Sequence, residues 1–166
     1  MEVLELSARI TLIVVFGAAV FGKCRSRRAL RQFAAGLADF GWIPARLRLT
    51  VALAVLAAEV GAVPLLLGDR QVGAVLAFGL LAVFTVATVQ AGRAAACQCF
   101  GTADTPAAGG TAAFVTRNSL LMGLALVAGL VPGGAPALPV WVAAVGVGAA
   151  LGAVVIGWDE VAYLRS

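Results

Sequence analysis

The chain has 166 residues, of which 62% are hydrophobic and only 12% charged, and its net charge is +4. A soluble domain of this size carries about twice that charged fraction, and a small domain has too much surface to hide so much apolar area. A water-soluble fold is excluded, and with no histidine in the chain so are Ser-His-Asp triads, Cys-His pairs and imidazole metal ligands. No solvated basic face interleaved with aromatics marks a nucleic-acid binder. Any chemistry falls to thiols, carboxylates, amides or a bound cofactor.

A spanning helix needs about 20 mostly apolar residues. The first candidate runs from Leu6 to Phe21. Its leading residues, Glu2 and Glu5, are acidic where a signal peptide is basic, so it reads as a retained span. The second runs from Leu47 to Leu67, the third from Val72 to Ala91, the fourth from Phe114 to Val131 and the fifth from Leu138 to Trp158. Backbone exposed to lipid must satisfy its own hydrogen bonds, so these segments are helices. The expected fold is all-α: residues 1–166 form one polytopic transmembrane bundle of about five spans, with a four-helix core and a fifth helix.

Lys23 to Arg46 joins the first two spans. Leu30, Phe33, Ala34, Leu37 and Phe40 recur at helical spacing, with Arg27, Arg28, Arg31 and Gln32 on the other side. That pattern predicts an amphipathic helix in the membrane interface, anchored by Trp42. The plain alternative is a basic loop.

Alternating spans place this loop, the loop after the third span and the C-terminus at one end, here called the cysteine end. Lys23, Arg25, Arg27, Arg28, Arg31, Arg46, Arg48, Arg93, Arg117 and Arg165 fall there, against Arg9 and Arg70 opposite. The positive-inside rule then makes the cysteine end cytoplasmic.

All three cysteines lie at that end: Cys24 after the first span, Cys97 and Cys99 after the third. Cysteines serving as small core hydrophobes would lie within spans. Two thiols separated by one residue can share a soft metal or exchange a disulfide with a partner. A bridge between them closes a small strained ring, and strained exposed disulfides are oxidising and labile. Gly101 frees the chain to turn, and Lys23, Arg25 and Arg93 favour thiolate. The plain alternative is three inert thiols in a reducing compartment.

Glu59 sits mid-span, where a bare carboxylate is costly. Arg9 and Gln90 are candidate partners, and Pro64 weakens the helix one turn on. Glu59 is either a proton-handling or cofactor-contacting group or a structural interhelical bond. Arg9 is expected to snorkel to the far interface, and Thr85 and Thr88 to bond their own helix. Arg117-Asn118 opens the fourth span, either supporting the cysteine loop or capping the helix. Asp104 and Thr105 before Pro106 read as a turn, and Ala107 to Ala113 as a linker.

Gly22-Lys23, Glu59, Cys97-x-Cys99-Phe100-Gly101 and Arg117-Asn118 together resemble the MauE family of methylamine-utilisation membrane proteins, related to DoxX-type bundles. The resemblance covers Leu6 to Leu130, and its most specific part is the Cys-x-Cys-Phe-Gly followed by Arg-Asn. It implies a role in maturing the disulfide-rich small subunit of methylamine dehydrogenase beside a thioredoxin-like partner, in a bacterial inner membrane. Cys97 and Cys99 would be the redox pair, with Lys23, Glu59, Arg117, Asn118 and Gly101 in support. Cys24 as resolving thiol follows from topology, not from the family pattern. Maturation of an exported subunit calls for thiols on the oxidising side, whereas the charges place them inside.

The leading expectation is therefore a membrane thiol–disulfide redox protein. By analogy with DsbB-type oxidases, its electron acceptor is a quinone near Phe33, Trp42 and Phe100. The alternatives are a scaffold that holds a partner subunit, and soft-metal binding or transport through Cys24, Cys97 and Cys99.

Overall fold

The computed structural model describes residues 1–91, 110–134 and 137–157. These residues form helices α1 (Glu2–Cys24), α2 (Arg27–Gly36), α3 (Arg48–Gly68), α4 (Arg70–Ala91), α5 (Gly110–Leu130) and α6 (Leu138–Ile156), with 3₁₀ turns at Leu37–Asp39 and Ala45–Leu47. No strand occurs among the described residues. All the α-helices except α2 are long and apolar enough to cross a bilayer. The expected all-α, five-span bundle is the fold observed.

Two spans start about a turn earlier than expected. Helix α1 begins at Glu2 rather than Leu6, with Glu2 and Glu5 in its first turn, where the helix dipole favours carboxylates. Helix α5 begins at Gly110, a turn before Phe114. The expected linker is therefore helical from Gly110 to Ala113.

Helices α1, α3, α4 and α5 form the core bundle, with α4 packed between α3 and α5 and α1 touching both α3 and α5. Leu12, Val15 and Phe16 of α1 meet Leu66 of α3, Ala74, Ala77 and Leu81 of α4, and Leu121, Ala125 and Ala128 of α5. Small residues keep these backbones close, which suits packing in lipid. A single residue, Asp69, separates α3 from α4. Its carboxylate accepts from the backbone N–H groups of Gln71 and Val72, both at 3.2 Å, which caps the start of α4. Gly73 then passes so close to α3 that a Cβ there would lie 2.5 Å from the Leu66 nitrogen.

Helix ends in a bilayer leave carbonyls without partners. Two arginines fill that need at the end opposite Cys24. Arg9 donates to the Leu66 carbonyl at 2.9 and 2.6 Å and to that of Leu67 at 3.1 Å, closing the C-terminus of α3. Arg70 donates to the Val131 carbonyl beyond α5. Arg9 therefore does not snorkel: its guanidinium is held by protein carbonyls.

Helix α6 packs on the outer flank of α1, running in the same direction. Ala144, Gly148 and Gly152 form its buried stripe. A Cβ on Gly148 would lie 2.7 Å from Ile10 Cβ and 2.8 Å from the Ser7 carbonyl oxygen. The Thr11 hydroxyl donates to the Ser7 carbonyl at 2.8 Å and lies 3.2 Å from that of Gly148. Gly148→Ala is expected to cost about 1–3 kcal/mol by overpacking, read as a lower unfolding midpoint in detergent. Gly146→Ala on the same helix is the control, because a Cβ there meets nothing within 4 Å. Equal effects of the two would refute this packing.

Candidate functional site

Lys23 lies in the last turn of α1. Helical side chains lean toward the N-terminus, so Lys23 reaches back into the bundle instead of out to the headgroups. Its Nζ donates to both carboxylate oxygens of Glu59, at 2.5 and 2.7 Å. Lys23 is 1% exposed and Glu59 2%. This is a two-pronged ion pair removed from water, held in the half of the bundle nearer Cys24.

Aromatic faces complete the setting. The Lys23 ammonium lies 4.7 Å from the ring centroid of Phe33 on α2 and 5.7 Å from that of Phe84 on α4. A ring face attracts a cation through its quadrupole, the more so when desolvated. Four helices thus contribute to one charged group: α1 gives the ammonium, α3 the carboxylate, and α2 and α4 the rings. Of the expected partners of Glu59, neither is its partner. Arg9 belongs to the far end, where it meets Glu5 at 3.4 Å as well as α3, and Gln90 is exposed.

Helix α2 roofs the pair. The Ser26 hydroxyl caps it, accepting from the Ala29 N–H at 3.0 Å. Ala29, Phe33 and Ala34 are buried along one side, and Arg27, Arg28 and Arg31 are exposed on the other. The amphipathic pattern is as expected, but its apolar side has a different destination. It packs on α1 and α3, with Phe33, Ala34, Leu37 and Ile43 clustered around Ala52. Protein covers this side, where lipid was expected.

The α4–α5 side adds polar groups. Asn118 donates from Nδ2 to the Thr85 hydroxyl at 3.1 Å, and Thr85 donates on to the Leu81 carbonyl at 2.7 Å. Thr85 bonds its own helix as expected and also holds Asn118. The Arg117 guanidinium carbon lies 5.3 Å from the Phe114 ring centroid. Arg117 and Asn118 are both buried. Because α5 starts at Gly110, they lie about two turns inside the helix and do not open it. A cavity of about 40 Å³ is lined by Glu59, Arg117 and Asn118 with Phe16, Phe84 and Leu121. The structure therefore brings Lys23, Glu59, Arg117 and Asn118 into one buried neighbourhood.

Cys24 is the last residue of α1 and is exposed. One step along a helix turns about 100°, so it faces away while its neighbour Lys23 faces in. Cys97, Cys99 and Gly101 lie outside the described residues, as do Arg93, Phe100, Asp104 and Thr105. The flanking residues that are described, Ala91 closing α4 and Gly110 opening α5, sit at the same end of the bundle as Cys24. Among the described residues no three Cys, Asp or Glu side chains cluster to hold a metal ion. Of the rings expected beside a quinone, Phe33 is buried against Lys23 and Trp42 is turned outward at 65% exposed.

Phe84 and the Thr85–Asn118 bond were not singled out by sequence reasoning. The lean of helical side chains is the signal that would have turned Lys23 inward and paired it with the acidic residue of the second span.

The family model described as "Methylamine utilisation protein MauE" matches residues 1–131. That stretch holds α1 to α5, with Lys23, Glu59, Arg117 and Asn118, and leaves out α6. No curated protein and no solved structure matches the chain.

Proposed function

The chain belongs to the MauE family of methylamine-utilisation proteins, and on that premise we propose that it is a membrane thiol–disulfide redox protein. It assists the maturation of a partner such as methylamine dehydrogenase by exchanging disulfides with a protein on the thiols' side of the membrane. Cys97 and Cys99 form the exchanging pair, and Cys24 resolves mixed disulfides. In the oxidising direction, a partner thiolate attacks the Cys97–Cys99 disulfide and forms a mixed disulfide. A second partner thiolate then attacks that bond. The partner gains a disulfide, and two electrons remain on this chain as a dithiol. A thioredoxin-like protein takes those electrons by the reverse exchange.

The observation that carries this reading is the buried Lys23–Glu59 pair at the end of the bundle where Cys24 lies. A bilayer protein keeps intramembrane charges where function or a specific partner demands them. Here the pair, with Arg117 and Asn118, forms a buried polar cluster between α1, α3, α4 and α5. Ala91 and Gly110, which flank in the chain the stretch that carries Cys97 and Cys99, sit at the same end of the bundle. Lys23 acts through this cluster as a positioning residue, since its ammonium is engaged by Glu59.

We also propose that the cysteine end faces the cytoplasm of a bacterial inner membrane. Lys23 and Arg117 are buried in the bundle and drop out of the charge comparison. Arg25, Arg27, Arg28, Arg31, Arg46 and Arg48 remain near that end, against Arg9 and Arg70, which serve helix carbonyls. The asymmetry still favours this orientation. On it, the thiols meet their exchange partner on the cytoplasmic side, and the exported subunit is not attacked directly.

The test is labelling of single-cysteine variants at Cys24, Cys97 and Cys99 with a membrane-impermeant maleimide in intact cells. Labelling only after permeabilisation is expected. Labelling from outside would reverse the orientation and make the exported subunit a direct substrate. If replacing all three cysteines leaves function intact, the thiol reading fails and a scaffold role takes its place.

A further inference from the structure

We propose that the outer side of α2 binds the headgroups of anionic phospholipids. Arg27, Arg28 and Arg31 are exposed on that side. None of the three has a side-chain hydrogen bond or ion pair among the described residues. Helix α2 carries no acidic residue, so nothing along the helix neutralises them. Three unpaired guanidiniums within little more than one turn are an anion-binding surface.

Position decides which anion. The helix starts three residues after Cys24, where α1 ends. Trp42, just beyond it in the chain, is 65% exposed, and its amphipathic ring settles at the level of lipid headgroups. Because protein already covers the apolar side of α2, the helix has no free apolar stripe to insert. Its charged side is what it offers to the bilayer surface. Lipid phosphates are present there at high density. Phe33 projects from the opposite side of the same helix onto Lys23. The proposal does not rest on the thiol reading, and its test uses no thiol.

The full chain is placed in phosphatidylcholine nanodiscs with and without phosphatidylglycerol. Retained lipids are counted by native mass spectrometry, and exchange of the α2 amides is followed. The wild type is expected to retain phosphatidylglycerol in preference to phosphatidylcholine and to exchange α2 more slowly when it is present. Each arginine contributes roughly fivefold to that preference, so Arg27→Gln/Arg28→Gln/Arg31→Gln is expected to lose about a hundredfold. Raised salt should weaken the effect. The three side chains are exposed, so the variant should unfold like the wild type in phosphatidylcholine alone, which separates lost binding from lost folding. Equal retention of the two lipids by the wild type, or undiminished phosphatidylglycerol retention by the variant, would overturn the proposal. So would protection of α2 by inorganic phosphate or by an acidic protein but not by anionic lipid.

Discussion

Lys23→Met is expected to destabilise the bundle by about 3–5 kcal/mol, and Glu59→Leu by a similar amount. Each leaves one charge among apolar side chains with its counter-charge gone. The Nζ of Lys23 lies 2.5 and 2.7 Å from the Glu59 oxygens, and among the described residues neither group enters another ion pair. The double variant Lys23→Met/Glu59→Leu is expected to recover most of the loss, because it removes the desolvation cost along with the attraction. The measurement is an unfolding transition of all four proteins in one detergent. Single effects that simply add in the double variant would mean that the two residues are not coupled.

The double variant also separates stability from function. Stable but inactive protein would assign the pair a part in the chemistry. Stable and active protein would make it a structural device. The proposed positioning role predicts the first outcome.

Cys24→Ser/Cys99→Ser is expected to trap a partner protein, whose disulfide Cys97 attacks, as a mixed disulfide on Cys97 and to abolish turnover. The variant loses both thiols that would displace the partner, so the intermediate persists. Cys97→Ser/Cys99→Ser should show neither trapping nor turnover. Cys24→Ser alone, with Cys97 and Cys99 in place, should slow resolution without abolishing turnover. Cys24 is exposed at the end of α1, so its replacement leaves the core packing undisturbed. Non-reducing gels of each variant, with the partner identified by mass spectrometry, read all three outcomes. Wild-type turnover in Cys97→Ser/Cys99→Ser would remove the thiols from the mechanism.

Much of the fold was legible because a bilayer simplifies the reading. Length and apolarity found each span, and the Gly68-Asp69-Arg70 break marked the tight turn between α3 and α4. The two sides of α2 could be read from the spacing of Phe33, Ala34 and Leu37 against Arg27, Arg28 and Arg31. Periodicity gives a side but not what covers it, so the packing of α2 on α1 and α3 was out of reach. Lys23 was counted as an interfacial charge because it stands at a span's edge. The direction of its side chain, not its position, puts it in the core. Arg9 illustrates the converse: a charge inside a span that seemed bound for solvent is taken up by the carbonyls ending α3. Such contacts pair residues far apart in the chain, and no local pattern announces them. Glu59 was singled out for its cost in lipid, and the structure gives it Lys23 as a buried partner.

The central claim is that Cys97 and Cys99 cycle between dithiol and disulfide. The direct measurement is acid quenching of growing cells, followed by alkylation of the chain with a mass-tagged maleimide before and after reduction. A population with two thiols blocked until reduction is expected, and it should be lost in Cys97→Ser/Cys99→Ser. The blocked fraction should fall when the thioredoxin-like partner, which takes electrons from the pair, is removed. Three thiols fully alkylated without reduction under every condition would contradict the account.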